Sequence, residues 1–299
     1  MPEIRIEKPK TVAIVGVGGT GCTVASLLAR SHIKLILIDR DIVEESNLDR
    51  QILYDMNNVG KPKVFVAKER LEQFSDIEAR YEDLNRTTID FLGVDLVIDC
   101  TDNNATRYLI NDYCKKYKLP WIYTGAISIL GAIAMILPES CCFRCFSDEK
   151  QGETCLEAGV MNAAVTLVGS IAAAKAMQFL VNGNTQSDLI RINVANNEVM
   201  HITVNKRSDC PCCRGVYEYL EGDRARSIVK VCDKGKYLMT LNKPINTLEL
   251  AQRLKKYVTV QANEHAAHFG DMIVFSHGAV LVTAKNESEA KKKMDFIGI

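Results

Sequence analysis

Residues 11–21 read Thr-Val-Ala-Ile-Val-Gly-Val-Gly-Gly-Thr-Gly, an apolar run that ends in a glycine-rich turn. A helical pattern follows over 22–30, and the next apolar run, 35–38, is closed by Asp39, 18 residues after Gly21. Glycines permit a tight turn and bring backbone N–H groups close to phosphate, while the helix N-terminus adds positive potential. A carboxylate at the end of the second strand can accept hydrogen bonds from ribose hydroxyls. The stretch therefore predicts a nucleotide site that uses Asp39 and the glycines Gly16, Gly18, Gly19 and Gly21.

Apolar runs and helical patterns alternate along the chain up to about residue 220. The runs predict strands at 94–99, 121–125, 132–137, 189–193 and 199–204, and the helical patterns lie at 62–74, 104–117 and around 163–181. Strands that alternate with helices indicate βαβ units. We therefore expect an α/β fold over residues 1–222, with a Rossmann-like, doubly wound and mostly parallel sheet.

A second, smaller unit is predicted to follow Gly222. Its patterns indicate strands at 228–232, 237–240 and 258–262, a hairpin over 272–283 that turns at His277 and Gly278, and helices at 247–257 and 288–296. Short strands mixed with two helices are typical of an α+β arrangement. Residues 223–299 are therefore expected to form a small α+β domain.

The composition describes a globular protein without strong attraction to nucleic acid or membranes. Of the 299 residues, 47% are hydrophobic and 25% are charged, and the formal net charge is zero. The first ten residues are charged where a secretory signal would be apolar, and the apolar stretch 163–181 holds Lys175 and Gln178, which favours a helix buried in protein. Eleven cysteines without a signal peptide favour a reducing compartment, so a cytoplasmic location is expected.

The glycine loop alone does not distinguish ATP from a dinucleotide, but several later segments do. They are 39–43 (Asp-Arg-Asp-Ile-Val), 46–51 (Ser-Asn-Leu-Asp-Arg-Gln), 60–63 (Gly-Lys-Pro-Lys), 99–103 (Asp-Cys-Thr-Asp-Asn) and 154–161 (Thr-Cys-Leu-Glu-Ala-Gly-Val-Met). Together with 14–21, and in this order, these segments resemble the MoeB/ThiF/HesA family, which is related to the adenylation domains of ubiquitin-activating enzymes. The resemblance runs from about Lys10 to about Gly215.

This resemblance implies a site for ATP and Mg²⁺ and an adenylyltransferase activity. The substrate would be the C-terminal glycine carboxylate of a small ubiquitin-like or sulfur-carrier protein that ends in Gly-Gly, and pyrophosphate would be released. Adenylation requires the enzyme to position the phosphates and to neutralise their charge, which suits cations. The resemblance implies that Arg50 and Lys63 face the triphosphate and that Asp102 holds Mg²⁺. The other residues that it places at the nucleotide are Asp39, Asp41, Asn47 and Gln51.

Two pairs of cysteines have the spacing of metal ligands. Cys142-Phe143-Arg144-Cys145 and Cys210-Pro211-Cys212-Cys213 each offer cysteines three residues apart. Two such pairs can place four thiolates around Zn²⁺ in a closed structural site. The family has its zinc pairs in these two places, which implies the ligands Cys142, Cys145, Cys210 and Cys213, with Cys141 and Cys212 as nearby additional thiols.

Cys155 lies in the segment 154–161, which resembles the one that carries a mobile cysteine in relatives. Some relatives use this cysteine to form a thioester or a persulfide with the partner protein, and others work without it. A thiol needs a lowered pKa to act as a nucleophile. Cys155 is therefore a candidate for a catalytic role, with an inherited but dispensable cysteine as the alternative.

The chain departs from the family pattern at both ends. The family has an N-terminal helix with an Arg-Tyr-x-Arg-Gln pattern, from which an arginine reaches the neighbouring subunit's ATP site; before Thr11 this chain has only Arg5. A homodimer is still expected, because the dimer interface of the family is mostly formed elsewhere. Residues 223–299 lack the catalytic-cysteine loop of a rhodanese, so they are not expected to be a rhodanese. They end in Ile-Gly-Ile and not in Gly-Gly, so they are not expected to be a fused carrier either.

The same motifs leave other functions open. A catalytically weak scaffold or regulatory subunit would also bind nucleotide and partner; the absence of the N-terminal arginine pattern favours it, and the presence of Arg50, Lys63 and Asp102 disfavours it. An NAD-dependent oxidoreductase would share the glycine loop but does not need these three residues. An adenylating enzyme that acts on tRNA or on a peptide would share every motif quoted above.

Overall fold

The computed structural model describes residues 9–147, 159–183, 187–222, 228–230, 235–241 and 243–296. The larger sheet contains β1 (Thr11–Val15), β2 (Lys34–Asp39), β3 (Ile77–Tyr81), β4 (Leu96–Asp99), β5 (Trp121–Ile127), β6 (Leu130–Ile136), β7 (Asp188–Asn193) and β8 (Glu198–Thr203). The order of its eight strands is β3-β2-β1-β4-β5-β6-β7-β8. The first five are parallel, and the last three continue the sheet in antiparallel fashion. The predicted α/β fold with a mostly parallel, Rossmann-like sheet is confirmed.

Helices cover both faces of this sheet. They are α1 (Gly19–Arg30), α2 (Lys63–Leu71), α3 (Asn104–Lys116) and α4 (Asn162–Asn182). Because side chains alternate along a strand, Val12 and Ile14 of β1 pack in one core with α1, α2 and α4, whereas Ala13 and Val15 pack in a second core with α3. Strands buried on both faces explain why β1, β2 and β4 are continuous apolar runs in the sequence.

The helix α4 is the only helix within the described ranges that is long and apolar enough to cross a membrane, by length and composition. Half of its most apolar window is buried inside the protein. Gly169 of α4 lies so close to α1 that a Cβ atom there would be 2.7 Å from the Cβ of Thr23. The helix therefore packs against protein through small residues, as its composition predicted.

The smaller sheet is entirely antiparallel. It contains β9 (Ile228–Lys230), β10 (Lys236–Thr240), β11 (Val260–Ala262), β12 (Ala266–Phe269), β13 (Met272–Phe275) and β14 (Ala279–Thr283), in the order β11-β12-β13-β14-β10-β9. The helices α5 (Thr247–Leu254) and α6 (Glu287–Phe296) contribute to the core on one face. On the other face, Leu238, Ala266, Phe275 and Ala279 form a cluster with Ile42 of the larger unit. The domain boundary after Gly222 lies between the two sheets and stays a prediction.

Two strands and three helix ends differ from the sequence prediction. Two of these ends are the start of α1, at Gly19 instead of residue 22, and the end of α5, at Leu254 instead of residue 257. The predicted elements omitted β3 and β12. The edge strand β3 has only Ile77 fully buried, but its sequence does alternate, with Ile77, Ala79 and Tyr81 against the core and polar residues between them. The strand β12 reads Ala-Ala-His-Phe, and alanine has low β-propensity. The helix expected over 62–74 ends at Leu71, after which the chain turns with a hydrogen bond from Phe74 N to Leu71 O.

Candidate nucleotide site and metal centre

A cavity of about 1030 Å³ lies at the carboxyl ends of the parallel strands. In an open parallel sheet, ligands bind outside these strand ends, where the connections on neighbouring strands diverge. Of the residues predicted to bind nucleotide, the cavity lining includes Gly16, Gly18, Gly19, Asp39, Asp41, Asn47, Arg50, Gln51, Lys63 and Asp102. The structure thus brings together residues that are spread over more than 80 positions of the sequence.

The glycine loop between β1 and α1 depends on close backbone contacts. Gly16 has a φ of +88°, and a Cβ atom there would be 2.7 Å from the carbonyl oxygen of Cys100. A Cβ atom on Gly21 would be 2.0 Å from the carbonyl oxygen of Gly16. Gly21 is not among the lining residues, so it allows the helix to approach the loop, whereas Gly16, Gly18 and Gly19 face the cavity.

Asp39 fixes the geometry of this loop from the end of β2. Its Oδ2 accepts a hydrogen bond from the backbone N–H of Val17 at 2.6 Å, and its Oδ1 accepts one from the N–H of Asp41 at 2.8 Å. Burial raises the pKa of Asp39, and the nearby Lys63 acts in the opposite direction. A carboxylate oxygen has more than one lone pair, so Asp39 can still accept hydrogen bonds from ribose hydroxyls.

The two predicted cations are held by acidic partners of the same site. Lys63 Nζ lies 3.2 Å from Asp41 Oδ2, and only 6% of the Lys63 side chain is exposed. Arg50 Nη1 donates to Asp49 Oδ1 at 2.7 Å and to the carbonyl of Ser46 at 2.8 Å. Burial acts to lower the pKa of Lys63, but Asp41 and Asp39 outweigh it and raise the pKa above its usual value. Lys63 is therefore a cation at neutral pH, available to a phosphate.

Asn47 and Gln51 lie on the connection between β2 and α2. Asn47 and Glu44 cap the short helix Glu45–Asn47 reciprocally, which fixes the turn that precedes Arg50. Gln51 is 5% exposed, and its Oε1 is buried without a hydrogen-bond donor in the described part of the chain. A buried unpaired acceptor is costly, so a ligand that supplies a donor would be stabilised there.

Asp102 is exposed to the cavity at the end of β4. The next residue, Asn103, caps α3 by accepting a hydrogen bond from Thr106 N at 2.9 Å, so Asp102 is left outside the helix. Carboxylates at such an open position are suitable ligands for Mg²⁺, which keeps several waters and bridges substrate phosphates. The position of Asp102 fits its predicted role.

Three arginines that line the cavity were not predicted from the sequence: Arg40, Arg107 and Arg191. Arg40 Nη1 donates to Asp83 Oδ1 at 2.8 Å, and Arg107 Nε lies 3.4 Å from Asp99 Oδ2. Burial raises the pKa of Asp99 to about 6, although Arg107 acts to lower it. Arg40 directly follows Asp39 at a strand end, and this position could have indicated it. Arg107 lies one turn into α3, where nothing in the local sequence distinguishes it.

The four cysteines predicted to bind zinc form one cluster. Their Sγ atoms all lie within 4.8 Å of one another, with Cys142 at 3.5 Å from Cys210 and 3.9 Å from Cys145, and Cys145 at 3.5 Å from Cys213. Tetrahedral Zn²⁺ with Zn–S bonds of about 2.3 Å requires S···S distances of roughly 3.8 Å. The cluster therefore has the geometry to hold zinc.

Cys212 packs beside these four cysteines without belonging to the four-sulfur group, and it has a further partner outside them. Its Sγ accepts a hydrogen bond from Asn111 Nδ2 at 3.1 Å, and Asn111 Oδ1 accepts one from the N–H of Phe143 at 2.8 Å. A single buried amide of α3 thus fixes the two cysteine segments relative to each other. Such a support is typical of the surroundings of a metal site.

Two of the predicted features lie outside the described residues. Cys155 belongs to the segment 148–158, and Arg5 belongs to the first eight residues. The catalytic role of Cys155 and the question of the N-terminal arginine therefore stay at the level of prediction.

Comparison with known proteins identifies relatives over the larger unit. The ThiF family matches residues 5–212. The chain is 33% identical over 215 residues to the sulfur carrier protein ThiS adenylyltransferase of Escherichia coli (strain K12), which covers 68% of this chain and 86% of that protein. It is 35% identical over 186 residues to the molybdopterin-synthase adenylyltransferase of Salmonella typhimurium (strain LT2), which covers 58% of this chain and 74% of that protein.

The fold is also similar to that of solved structures. E. coli MccB, in a crystal structure with ATP, superposes with a TM-score of 0.63 at 22% identity, over 71% of this chain and 68% of MccB. This likeness concerns the fold. The family match covers more than half of the chain and includes the glycine loop and three of the four clustered cysteines, and Cys213 directly follows its last residue. The chain therefore belongs to the ThiF family, the group of adenylyltransferases that its motifs resemble.

Proposed function

We propose that this protein uses ATP and Mg²⁺ to adenylate the C-terminal carboxylate of a small ubiquitin-like or sulfur-carrier protein that ends in Gly-Gly. One observation carries the proposal: a single cavity is lined by the glycine loop, by Asp39, by the cations Arg50 and Lys63, and by Asp102. The names of the relatives support the kind of substrate, since one is an adenylyltransferase for a sulfur carrier protein and another acts for molybdopterin synthase.

The strand order suggests how ATP would lie in the cavity. The glycine loop follows β1, Asp39 follows β2, and β3 lies beyond β2 in the sheet. Phosphates at the glycine loop and ribose hydroxyls at Asp39 would direct the base towards the connection after β3, where Leu84 lines the cavity. In the other direction Asp102, after β4, would hold Mg²⁺ beside the phosphates.

The chemical step needs charge stabilisation more than covalent help. A carboxylate oxygen of the carrier attacks the α-phosphorus of ATP, the bond from this phosphorus to the β-phosphate oxygen breaks, and pyrophosphate leaves with the electron pair. The product is an acyl adenylate. Lys63 and Arg50 would offset the negative charge that develops on the leaving pyrophosphate, and bound Mg²⁺ would add to this stabilisation. No proton transfer is required, because the attacking carboxylate is already ionised.

The tail of the carrier would enter along the antiparallel half of the sheet. The cavity lining continues from Asp102 to β5, β6, β7 and β8, where it includes Ala126, Leu130, Arg191 and Met200. Arg191 and Met200 are exposed, so this side is open to a second protein. An extended tail with two glycines occupies little space, so it could approach the α-phosphate along this side.

Further parts of the proposal concern the metal, the cysteine and the assembly. Cys142, Cys145, Cys210 and Cys213 would hold one structural Zn²⁺ that ties together segments about 65 residues apart. Cys155 would act after adenylation, by attacking the acyl adenylate to form a thioester with release of AMP; a persulfide on Cys155 would instead require a sulfane-sulfur donor. The protein would work as a homodimer in the cytoplasm, without a membrane or a nucleic acid as partner.

A nucleotide-binding scaffold is the principal alternative. A scaffold needs no cations at the triphosphate, whereas here Arg50 and Lys63 line the cavity together with Asp102. This arrangement favours catalysis.

Two measurements test the proposed function. Calorimetry should detect binding of ATP with Mg²⁺ and no comparable binding of NAD. In the presence of a Gly-Gly carrier, the protein should catalyse exchange of labelled pyrophosphate into ATP, and Mg²⁺ should be required. Tight NAD binding without ATP binding would overturn the nucleotide assignment. ATP binding without exchange, with any Gly-Gly carrier, would favour the scaffold.

A further inference from the structure

Two residues of the C-terminal unit line the nucleotide cavity. Lys236 of β10 and Leu281 of β14 belong to the same lining as the glycine loop, although the family match ends at residue 212. We infer that the C-terminal unit is a wall of the nucleotide site and that Thr240 positions Arg40 and the segment 39–44 for ATP. This inference rests on the proposed function, because it assumes that ATP is the ligand of the cavity.

Asp83 joins the two units at the cavity. Its Oδ1 accepts a hydrogen bond from Arg40 Nη1 at 2.8 Å, and its Oδ2 accepts one from Thr240 Oγ1 at 2.7 Å. The side chain of Asp83 is 7% exposed and that of Arg40 is 15% exposed. One buried carboxylate is thus divided between a cavity-lining arginine and a hydroxyl of the C-terminal sheet, so the orientation of Arg40 depends on both contacts.

His277 forms a hydrogen bond to the backbone of Arg40. The Nε2 of His277 lies 3.0 Å from the carbonyl oxygen of Arg40, and this oxygen can only accept, so Nε2 carries the proton of the hydrogen bond. His277 stacks on Phe275 and meets the ring of Tyr81 edge-on. The C-terminal unit therefore contacts both the side-chain partner and the main chain of Arg40, directly next to Asp39.

One face of the strand β10 packs against the segment 39–44 and its surroundings. Residues 236, 238 and 240 share one face of β10, because side chains alternate along a strand. On this face Thr240 contacts Asp83, Leu238 packs with Ile42, and Lys236 lines the cavity. Leu238 and Ile42 are 4% and 3% exposed, so their contact is a buried apolar one.

A further contact reaches the segment that carries Lys63. Asn263 Nδ2 donates to the carbonyl of Gly60 at 2.9 Å. The segment 60–63 in turn pairs with 41–43, through hydrogen bonds from Val43 N to Lys61 O and from Lys63 N to Asp41 O. The C-terminal unit thus holds the two backbone segments on which Asp41 and Lys63 face each other. Loss of its contacts should weaken nucleotide binding even though no phosphate contact is removed.

The test compares three variants of the full chain. Thr240→Val removes the hydroxyl and nearly keeps the shape, Thr240→Ser restores the hydroxyl, and Thr259→Val makes the same change at an exposed position of the C-terminal unit. The dissociation constant for ATP with Mg²⁺ is measured by calorimetry, and the unfolding temperature is measured alongside. Thr240→Val should bind ATP about five- to tenfold more weakly. This is less than the roughly 10- to 150-fold that a whole hydrogen bond to a charged group is worth, because Thr240 acts on ATP only through Asp83 and Arg40. Thr240→Ser and Thr259→Val should bind as the wild type does.

The outcomes separate a positioning role from a structural one. If Thr240→Val lowers the unfolding temperature but binds ATP as the wild type does, the inference is wrong. If Thr240→Val does not fold, His277→Phe applies the same test at the carbonyl of Arg40, because it keeps the aromatic contacts and removes the donor. If the wild type binds no ATP, the proposed function is wrong. If the wild type and Thr240→Val bind ATP equally well, only the inference about Thr240 is wrong.

Discussion

Lys63 and Asp41 form an ion pair at the nucleotide cavity, with 3.2 Å between Nζ and Oδ2. The backbone strengthens this relationship, since Lys63 N also donates to Asp41 O at 3.0 Å. The lysine is almost fully buried, whereas 41% of the Asp41 side chain is exposed. A phosphate that enters the cavity can therefore compete for Lys63 while water solvates the carboxylate. The site is assembled before the nucleotide binds, and Lys63 and Arg50 are each paired with a carboxylate of the site.

The ion pairs of Lys63 and Arg50 lead to a prediction for these two cations. Lys63→Ala and Arg50→Ala should each lower carrier-dependent pyrophosphate exchange by about 10²–10³, because each removes a charge that stabilises the leaving pyrophosphate. Both variants should fold, since Asp41 is half-exposed and Arg50 lies at the surface of the cavity. Lys61→Ala is the matched control, because Lys61 is exposed and only two residues from Lys63. Unchanged exchange in both cavity variants, with an active wild type, would remove them from the mechanism.

Asp99 gives a prediction for the pH dependence of stability. Burial raises its pKa from 3.8 to about 6, so the folded state holds the proton more tightly than the unfolded state does. Ionisation of Asp99 therefore costs stability as the pH rises from about 4 through 6, by about 3 kcal/mol in total. Asp99→Asn cannot ionise and should lack this loss. Urea titration from pH 4 to pH 7.5 measures the free energy of unfolding of the two proteins. The value for Asp99→Asn should rise relative to that of the wild type as the pH rises.

A constant difference in free energy between wild type and Asp99→Asn would contradict this assignment. The comparison cancels the other carboxylates that titrate in the same range, because both proteins contain them. Asp99 Oδ1 accepts a hydrogen bond from the backbone N–H of Thr101 at 3.0 Å, and the side-chain oxygen of asparagine can accept the same hydrogen bond. The attraction between Arg107 and Asp99 exists only while Asp99 is ionised, so it is already contained in the pKa of Asp99.

The adjacent residues Cys212 and Cys213 provide a matched pair for the metal centre. The protein should contain about one zinc per chain, and Cys213→Ala should lower both the zinc content and the unfolding temperature, because Cys213 belongs to the four-sulfur cluster. Cys212→Ala should keep its zinc, since Cys212 bonds instead to Asn111. Metal analysis by mass spectrometry, on protein purified without chelators, checks both. Absence of zinc in the wild type, or equal loss in the two variants, would refute the ligand assignment.

Much of the fold and the site could be predicted because the evidence for it is local in sequence. The glycine loop, Asp39 and the cysteine pairs are short patterns whose spacing reflects backbone geometry. The buried strands are continuous apolar runs because helices cover both faces of the sheet. Arg50, Lys63 and Asp102 were placed by resemblance to the family, and the structure brings them to one cavity.

The part of the site that could not be predicted from the sequence depends on contacts between distant segments. Arg40 and Asp83 are 43 positions apart, and Asp83 and Thr240 are 157 apart, so no local pattern indicates that they meet. The role of the C-terminal unit in the cavity follows from the face of β10 that packs on Ile42, and alternation along a strand does not reveal which partner the face will meet. The edge strand β3 was missed for another reason: its five residues alternate between apolar and polar, but they include glutamate and alanine, which have low β-propensity.

The last prediction concerns Cys155. Adenylation joins a carboxylate oxygen to the α-phosphorus and needs no thiol, so Cys155→Ala should exchange pyrophosphate within about twofold of the wild type. If the thiol works, its loss should affect only a later transfer step, in which the sulfur attacks the acyl adenylate and AMP leaves. The assay measures pyrophosphate exchange and, in parallel, a thiol-sensitive covalent adduct between the protein and a Gly-Gly carrier. Lys63→Ala serves as the opposite control, because it should abolish the adduct by preventing its precursor. Loss of exchange in folded Cys155→Ala would place this cysteine in the adenylation step, whereas normal exchange with a normal adduct would make it dispensable.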